Sequence, residues 1–225
     1  FCALSSNQTG KNTAVGWRSG RSLTSDGNTS VGIFSLAGSA GNYNTAIGQS
    51  TLYVNTGANN TAVGYTALQC NSTASNNTAV GFCALFNSTT GASNVAVGAN
   101  ALTTQTTNTQ NTAVGYNALC LNTANENTAV GYESLKNNAG GYYLTAVGKD
   151  SGLSNTTGAY GAYVGRYAAR ANTTGFGNAV LGANAFCTNT TGGSNVAVGL
   201  CALQSNTTAD SNVAVGASSL KANTT

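Results

Sequence analysis

Glycine recurs every 16 or 17 residues along this chain of 225 residues, and this period limits the possible folds more than any other feature. The thirteen glycines of the period are Gly16, Gly32, Gly48, Gly64, Gly81, Gly98, Gly115, Gly131, Gly148, Gly165, Gly182, Gly199 and Gly216. All of them follow Val or Ile except Gly182, which follows Leu181. So short a period is typical of a solenoid, in which one structural unit stacks on copies of itself. We therefore predict a single repeat domain over residues 1–225.

The repeat that contains Gly115 indicates the structure of one turn. Residues 111–114 read Asn-Thr-Ala-Val, which is typical of a short strand bounded by turn residues. Residues 116–120 predict a second short strand, and the polar residues 121–126 predict a loop. The chain is therefore predicted to be all-β, a parallel β-solenoid or β-roll of about thirteen turns with two strands each.

The strand residues indicate which faces are buried. The residue before each glycine is always a branched apolar one, so we expect it to point into the core. The Thr two residues earlier is replaced by Val95, Val196 and Val213, and it shares that face. The Ala between them points the other way but is small and uncharged, which predicts a second surface packed against another chain. We expect a homo-oligomer, either a trimer or a fibre.

Asparagine precedes the strand in eleven of the thirteen turns. These corner asparagines are Asn12, Asn28, Asn44, Asn60, Asn77, Asn94, Asn111, Asn127, Asn178, Asn195 and Asn212. Stacked amides can form a ladder along the axis and can satisfy backbone groups at the corner. A row of ligand-binding amides is the alternative, which we consider much weaker because a solenoid corner requires such residues.

Composition excludes several functions. Charged residues are 6% of the chain, and the eight cations are scattered, whereas nucleic-acid binding needs clustered Lys and Arg. No apolar run approaches the roughly 20 residues of a membrane span. Histidine is absent and the cysteines lack zinc-site spacing, so we expect no metal and no cofactor. The chain starts and ends within a repeat, so we expect it to be a piece of a longer fibre.

The six cysteines are not predicted to form a regular ladder of intrachain disulfides. Counted from the glycine position of the repeat, Cys2, Cys83 and Cys201 lie two residues after it. Cys120 and Cys187 lie five residues after it, and Cys70 lies six residues after it. A disulfide needs Cα atoms about 4.4–6.8 Å apart, hence similar positions in adjacent turns. No pair meets that condition well, although buried thiols and interchain bonds remain open.

The phrase Asn-Thr-Ala-Val-Gly, as at residues 60–64 and 127–131, resembles the head repeats of trimeric autotransporter adhesins. Similar repeats occur in tail-fibre-like proteins of viruses. The resemblance covers essentially the whole chain, although the period here is longer. It implies a left-handed roll, three chains side by side, and a fibre that is extracellular or on a cell or virion surface.

Glu133 and Asp150 are a candidate catalytic pair of carboxylates. Glu133 and Asp150 both lie two residues after their glycines in consecutive turns, so we expect them about 5 Å apart. A retaining glycosidase uses carboxylates at that separation. The sequence implies no cleft, so we favour an exposed pair of carboxylates whose mutual repulsion is reduced by Lys149 and Arg166. We therefore predict no catalytic residues.

Residues 139–170 depart most from the repeat. Leu144 and Gly161 replace the corner Asn, Tyr163 replaces the small strand residue, and Gly152 replaces Leu. This segment supplies a candidate binding site for glycans or proteins, because aromatic residues with nearby Arg suit recognition. The candidate residues are Tyr142, Tyr143, Tyr160, Tyr163, Tyr167 and Arg166. Local repacking of the roll is the alternative, and we favour it.

Acceptor patterns for N-glycosylation recur seven residues after the glycine, on the predicted outer loop. The candidate sites are Asn7, Asn71, Asn155, Asn172, Asn189, Asn206 and Asn223, with Asn87 beside them. The same pattern also begins at Asn28, Asn59 and Asn76. We expect glycans there if the source glycosylates secreted proteins.

Together these features predict a structural and adhesive segment of an extracellular fibre, without enzymatic activity. Its loops would present Asn, Thr and Tyr to cell-surface glycans or proteins. The alternative is a receptor-binding segment of a viral tail fibre. Ice binding by a Thr array is less favoured, because the Thr column that includes Thr61 and Thr112 is expected to face inward.

Overall fold

The computed structural model describes residues 3–4, 10–38 and 40–224, and all regular secondary structure in them is β-strand. The strands are β1 (Thr13–Val15), β2 (Thr29–Val31), β3 (Thr45–Ile47), β4 (Thr61–Val63), β5 (Thr78–Val80), β6 (Val95–Val97), β7 (Thr112–Val114), β8 (Thr128–Val130), β9 (Thr145–Val147), β10 (Ala162–Val164), β11 (Ala179–Leu181), β12 (Val196–Val198) and β13 (Val213–Val215). They follow chain order in one thirteen-stranded parallel sheet. The predicted parallel β-solenoid is confirmed.

Equivalent residues of successive turns stack directly on one another. In β4 and β5, Thr61 pairs with Thr78 and Val63 with Val80, and Thr128 of β8 pairs with Thr145 of β9. The chain divides into two compact units, Phe1–Asn111 and Thr112–Thr225, each built from this repeat. Each position of the repeat therefore forms a column, which we number by its distance from the glycine: +1 is the residue after it.

The thirteen glycines occupy the corner at the end of each strand, as predicted. Their φ angles lie between 119° and 145°, a region that side chains rarely adopt. Space is a second restriction: a Cβ built on Gly165 would lie 2.6 Å from the carbonyl oxygen of Gly182 in the next turn. Conformation and stacking both require glycine at this corner.

The second strand predicted in each turn is wrong. The segment after the glycine consists of turns, in which the +2 and +4 residues are left-handed, as in Asn117 (φ 53°) and Leu119 (φ 49°). Its backbone still bonds to the next turn: the Leu119 N–H donates to the Ser134 carbonyl at 3.0 Å. A flat strand would not turn the chain back fast enough to close so small a coil.

The faces of the strands are the reverse of the prediction. The middle residue, such as Ala62 or Ala146, is fully buried, whereas Val147 is 37% and Val215 68% exposed. The core is thin, and the opposite wall fills it with the buried +4 column, which includes Leu119. In most turns a Leu and an Ala suffice to fill the layer, so the residues on either side of the Ala face outward.

Tyr163 is the largest exception in the core, where it takes the place of this Ala and is fully buried. A Cβ built on Gly152 would lie 2.9 Å from Cδ2 of Tyr163, and one built on Gly161 would lie 2.8 Å from its Cε1. The ring therefore fills space that Leu and Asn occupy in other turns. Asn172 Nδ2 donates to the Tyr163 hydroxyl at 3.2 Å, and burial raises the pKa of that hydroxyl. The prediction that Tyr163 binds a ligand at the surface is wrong, and the alternative of local repacking is confirmed for this residue.

A double-mutant cycle tests this exchange of volume. We expect Tyr163→Ala to lower the free energy of unfolding by about 3–5 kcal/mol, because it leaves a large cavity. Gly152→Leu alone should cost about 1–3 kcal/mol through overpacking. The double variant restores the Ala and Leu pair of the regular turns and should recover at least about 1 kcal/mol of the summed losses. Denaturant unfolding measures all four proteins, and simple additivity would contradict this packing.

Candidate functional site

The asparagines of the +7 column form a continuous ladder inside the second unit. Asn155 Nδ2 donates to Asn138 Oδ1 at 2.7 Å, and Asn189 Nδ2 donates to Asn172 Oδ1 at the same distance. Each Nδ2 also donates within its own loop, as from Asn155 to the Gly158 carbonyl at 3.0 Å. These amides satisfy one another and the loop backbone, so they hold adjacent turns together.

This burial overturns most of the predicted N-glycosylation sites. The fully buried members are Asn71, Asn155, Asn172, Asn189 and Asn206. Their Nδ2 atoms are committed to internal hydrogen bonds and lie away from solvent, so no glycan fits there. Asn87 and Asn223 are half-buried, Asn59 and Asn76 are exposed, and Asn7 lies outside the described residues. An Asn-rich loop pattern alone did not reveal which amides turn inward.

The corner asparagines form a second ladder, as predicted. The Asn77 N–H donates to Asn60 Oδ1 at 3.0 Å, and Asn60 Nδ2 donates to the Ala74 carbonyl at 2.9 Å. At the exception, the backbone N–H of Leu144 still donates to Asn127 Oδ1 at 3.0 Å. The corner residues serve the backbone, which supports their structural interpretation over ligand binding.

Three of the predicted site residues form one exposed aromatic cluster before the strands. The ring centroid of Tyr160 lies 5.3 Å from that of Tyr142, 5.1 Å from that of Tyr143 and 5.0 Å from that of Phe176. Desolvation and a hydrogen bond to Tyr142 raise the pKa of Tyr160. The sequence prediction missed Phe176, although it lies one residue out of column from Tyr160.

Tyr167 and Arg166 belong to a different cluster, after the glycine corner. The Arg166 guanidinium carbon lies 4.3 Å from the Tyr167 ring centroid, and that of Arg170 lies 5.0 Å from it. Strand β10 separates Tyr160 from Arg166 along the chain. The six predicted binding residues therefore divide into an aromatic cluster, a cationic cluster and the buried Tyr163.

The carboxylates considered for catalysis have unequal environments. Glu133 accepts hydrogen bonds from Lys136 Nζ at 2.9 Å and from Asn117 Nδ2 at 3.2 Å. The Lys136 hydrogen bond lowers the pKa of Glu133, which keeps it ionised and unsuited to act as a general acid. Asp150 is buried, so the expectation of an exposed pair is wrong for it. The sequence prediction also missed Lys136 as the partner of Glu133.

The first unit has its own group of aromatic and cationic side chains. Arg18, Arg21, Phe34 and Tyr53 line a surface cavity of about 130 Å³ together with neighbouring small residues. The Arg18 guanidinium carbon lies 5.5 Å from the centroid of Phe34, whose ring contacts Trp17 edge-on at 4.7 Å. This cavity also lies after the glycine corner, on columns equivalent to those of Tyr167 and Arg170.

The remaining chemistry of the described residues is sparse. No disulfide joins the cysteines among them, which are Cys70, Cys83, Cys120, Cys187 and Cys201, whereas Cys2 lies outside the described residues. Burial raises the pKa of Cys70, Cys120 and Cys187, which disfavours their reactive thiolate form. In the same residues, no cluster of three His, Cys, Asp or Glu could hold a metal ion, and no helix has the length and apolarity to cross a membrane.

The buried ladder makes a prediction about stability. Asn189→Ala should lower the free energy of unfolding by about 1–3 kcal/mol, because it leaves Asn172 Oδ1 and the Gly192 N–H without their partner. Asn137→Ala is the matched control, because Asn137 is half-buried and outside the ladder, and its loss should cost less than about 0.5 kcal/mol. Denaturant unfolding compares the two, and equal effects would mean that the ladder contributes little.

Comparison with protein-family models, curated proteins and solved structures gives no match to this chain. The resemblance to adhesin head repeats therefore stays a prediction that rests on the residues alone. The structural findings stand by themselves: a parallel β-solenoid with two internal Asn ladders, an outward Thr and Val face, and separate aromatic and cationic clusters.

Proposed function

We propose that this chain is a structural and adhesive segment of an extracellular fibre, without enzymatic activity. In this proposal, copies of the chain associate side by side through the outer face of the sheet. The aromatic and cationic clusters remain available to cell-surface glycans or proteins. The resemblance to adhesin heads favours a trimer, and a receptor-binding segment of a viral tail fibre is the alternative.

The observation that carries this proposal is the outer face of the sheet in the second unit. Its outward residues in β7–β13 are Thr, Ala, Val and Leu, with no charge among them. Leu181 is 52% exposed, and Val147 and Val164 are also exposed. Seven strands at about 4.8 Å make this apolar strip about 30 Å long. A contiguous apolar strip of this size supports association with a partner.

The partner that fits the strip best is a second copy of the same chain. An exposed sheet of repeated Val and Thr columns is matched in spacing by an identical sheet, because both have the same rise per turn. The face replaces the Ala surface that the sequence predicted for oligomer contacts. The chains are still proposed to associate, but their contact consists of Val and Thr side chains rather than Ala.

Placing charge on the strip tests the oligomer. We expect the native chain to sediment as a trimer or larger assembly, and Val147→Lys with Val164→Lys to shift it to monomer, because burying two ammonium groups is costly. Circular dichroism should remain native for this variant, since both side chains face outward.

A control with the same added charge lies on the outer loops. Thr157 and Thr174 are exposed in the same consecutive turns, so Thr157→Lys with Thr174→Lys should leave the assembly intact. A native chain that sediments as a monomer at about 0.1 mM would overturn side-by-side packing through this face.

Ice binding is a second candidate, and one observation favours it. The sequence argument against it assumed an inward Thr column, but Thr45, Thr61 and Thr78 lie on the outward face in direct register. Thermal hysteresis decides between the candidates. An ice-binding face should give hysteresis that Thr61→Lys reduces and Thr157→Lys leaves unchanged, whereas the fibre proposal expects none in the native chain.

A further inference from the structure

Three cationic side chains of the second unit surround one tyrosine. The guanidinium carbons of Arg166 and Arg170 lie 4.3 and 5.0 Å from the centroid of the Tyr167 ring. Lys149 precedes Tyr167 by one turn, and the Lys149 carbonyl accepts the Tyr167 N–H at 2.9 Å. A hydrogen bond from Arg166 and the charges of Arg166 and Lys149 lower the pKa of the Tyr167 hydroxyl, whereas the charge of Asp150 acts in the opposite direction. Arg166, Arg170 and Lys149 are all exposed.

These cations form no ion-pair contact within the described part of the chain. None of the three forms an ion pair shorter than 4.0 Å with a described carboxylate, whereas Lys136 pairs with Glu133 at 2.9 Å. Two guanidinium groups held on one ring repel each other. A bound anion would relieve that repulsion and could accept hydrogen bonds from both groups.

Asp150 supplies a second, independent observation. It lies in the same +2 column as Tyr167, is only 6% exposed, and its Oδ1 has no hydrogen-bond donor. A buried carboxylate oxygen without a donor is costly, so a donor from a ligand would be favourable there. Lys149, next to Asp150 in the chain, and Arg166, one turn further on, are both exposed.

Aromatic rings extend the cluster along the +1 column. Lys149 Nζ lies 5.3 Å from the Tyr132 ring centroid, and Tyr132 stacks on Tyr116 with centroids 5.4 Å apart and planes 19° apart. Both tyrosines are nearly half exposed. Partly exposed aromatic rings next to polar groups are suited to contact the apolar face of a sugar ring.

We propose that the cluster of Lys149, Asp150, Arg166, Tyr167 and Arg170 binds an acidic sugar of a surface polysaccharide. The guanidinium groups bind its carboxylate or sulfate, Asp150 accepts a hydrogen bond from a sugar hydroxyl, and the Tyr132 and Tyr116 rings support the next sugar unit. This proposal rests on the adhesive function proposed above and gives it a ligand class. A metal cation does not suit the cluster, because the cluster holds three positive side chains and one carboxylate.

Binding of defined oligosaccharides tests the proposal by calorimetry on the native assembly. A galacturonic acid hexamer carries carboxylates, a heparin-derived hexasaccharide carries sulfates, and maltohexaose is neutral. We expect at least one acidic oligosaccharide to bind about tenfold or more tightly than maltohexaose, and the stronger of the two identifies the anionic group. Equal binding of all three, or binding of none, would overturn the proposal.

Substitutions separate a built site from general attraction to positive charge. Arg166→Ala with Arg170→Ala should weaken acidic binding about tenfold or more. Lys11→Ala with Lys221→Ala removes the same charge from exposed positions elsewhere and should change the affinity less than about threefold. Equal losses of affinity in the two double variants would mean that the acidic oligosaccharide binds by nonspecific electrostatic attraction.

A built site and simple charge attraction predict opposite effects of Asp150→Asn on the affinity for the acidic oligosaccharide. If Asp150 accepts a ligand hydroxyl, the variant should bind the acidic oligosaccharide more weakly, but if only net charge matters, it should bind more tightly. Asn occupies the +2 position at Asn117 and Asn184, so the variant suits the fold, and its unfolding curve verifies this.

The same measurements separate this proposal from the adhesive function. Acidic-oligosaccharide binding that survives loss of both arginines would end the acidic-site proposal and leave glycan adhesion in place. Binding of none of the three oligosaccharides by the native chain would end the acidic-site proposal, whereas sedimentation still reports the fibre association independently.

Discussion

The close stacking of one glycine corner on the next is the constraint on which the rest of the roll depends. At eleven of the thirteen corners the carbonyl of the following turn occupies the space that a Cβ would need, as between Gly165 and Gly182. This contact keeps successive turns in register and aligns every column of the repeat. The Asn ladders, the Leu column and the outward Val column all follow from that alignment.

A coil of 16 or 17 residues leaves room for little inside. Ala from the strand and Leu from the opposite wall fill most layers, and inward-facing amides satisfy the loops. When Tyr163 enters this core, Gly152 and Gly161 make room for it. A change in one column must be compensated in another, so variation that serves recognition is confined to outward columns such as those of Tyr160 and Arg166.

The outward columns suggest a division of labour. The uncharged strip of β7–β13 suits association between copies of the chain, whereas the positive cluster around Tyr167 suits an acidic ligand. The strip and the cluster occupy different columns of the repeat, so a copy of the chain can bind the strip without occupying the residues of the cluster. The sequence pointed to residues 139–170, which contain the positive cluster. It grouped the buried Tyr163 with exposed residues, because spacing alone does not say how deeply a side chain is buried.

The sequence by itself determined the parallel solenoid, its period, the glycine corners and the corner Asn ladder, because stacking repeats a local requirement in every turn. It did not determine which strand face is buried, since alternation defines two faces without saying which one meets the core. Nor did it reveal that the Asn of the +7 column turns inward. Only the tertiary structure decided both, because Leu across from Ala fills the thin core in most layers, which leaves the flanking strand residues outside and draws the loop amides inside.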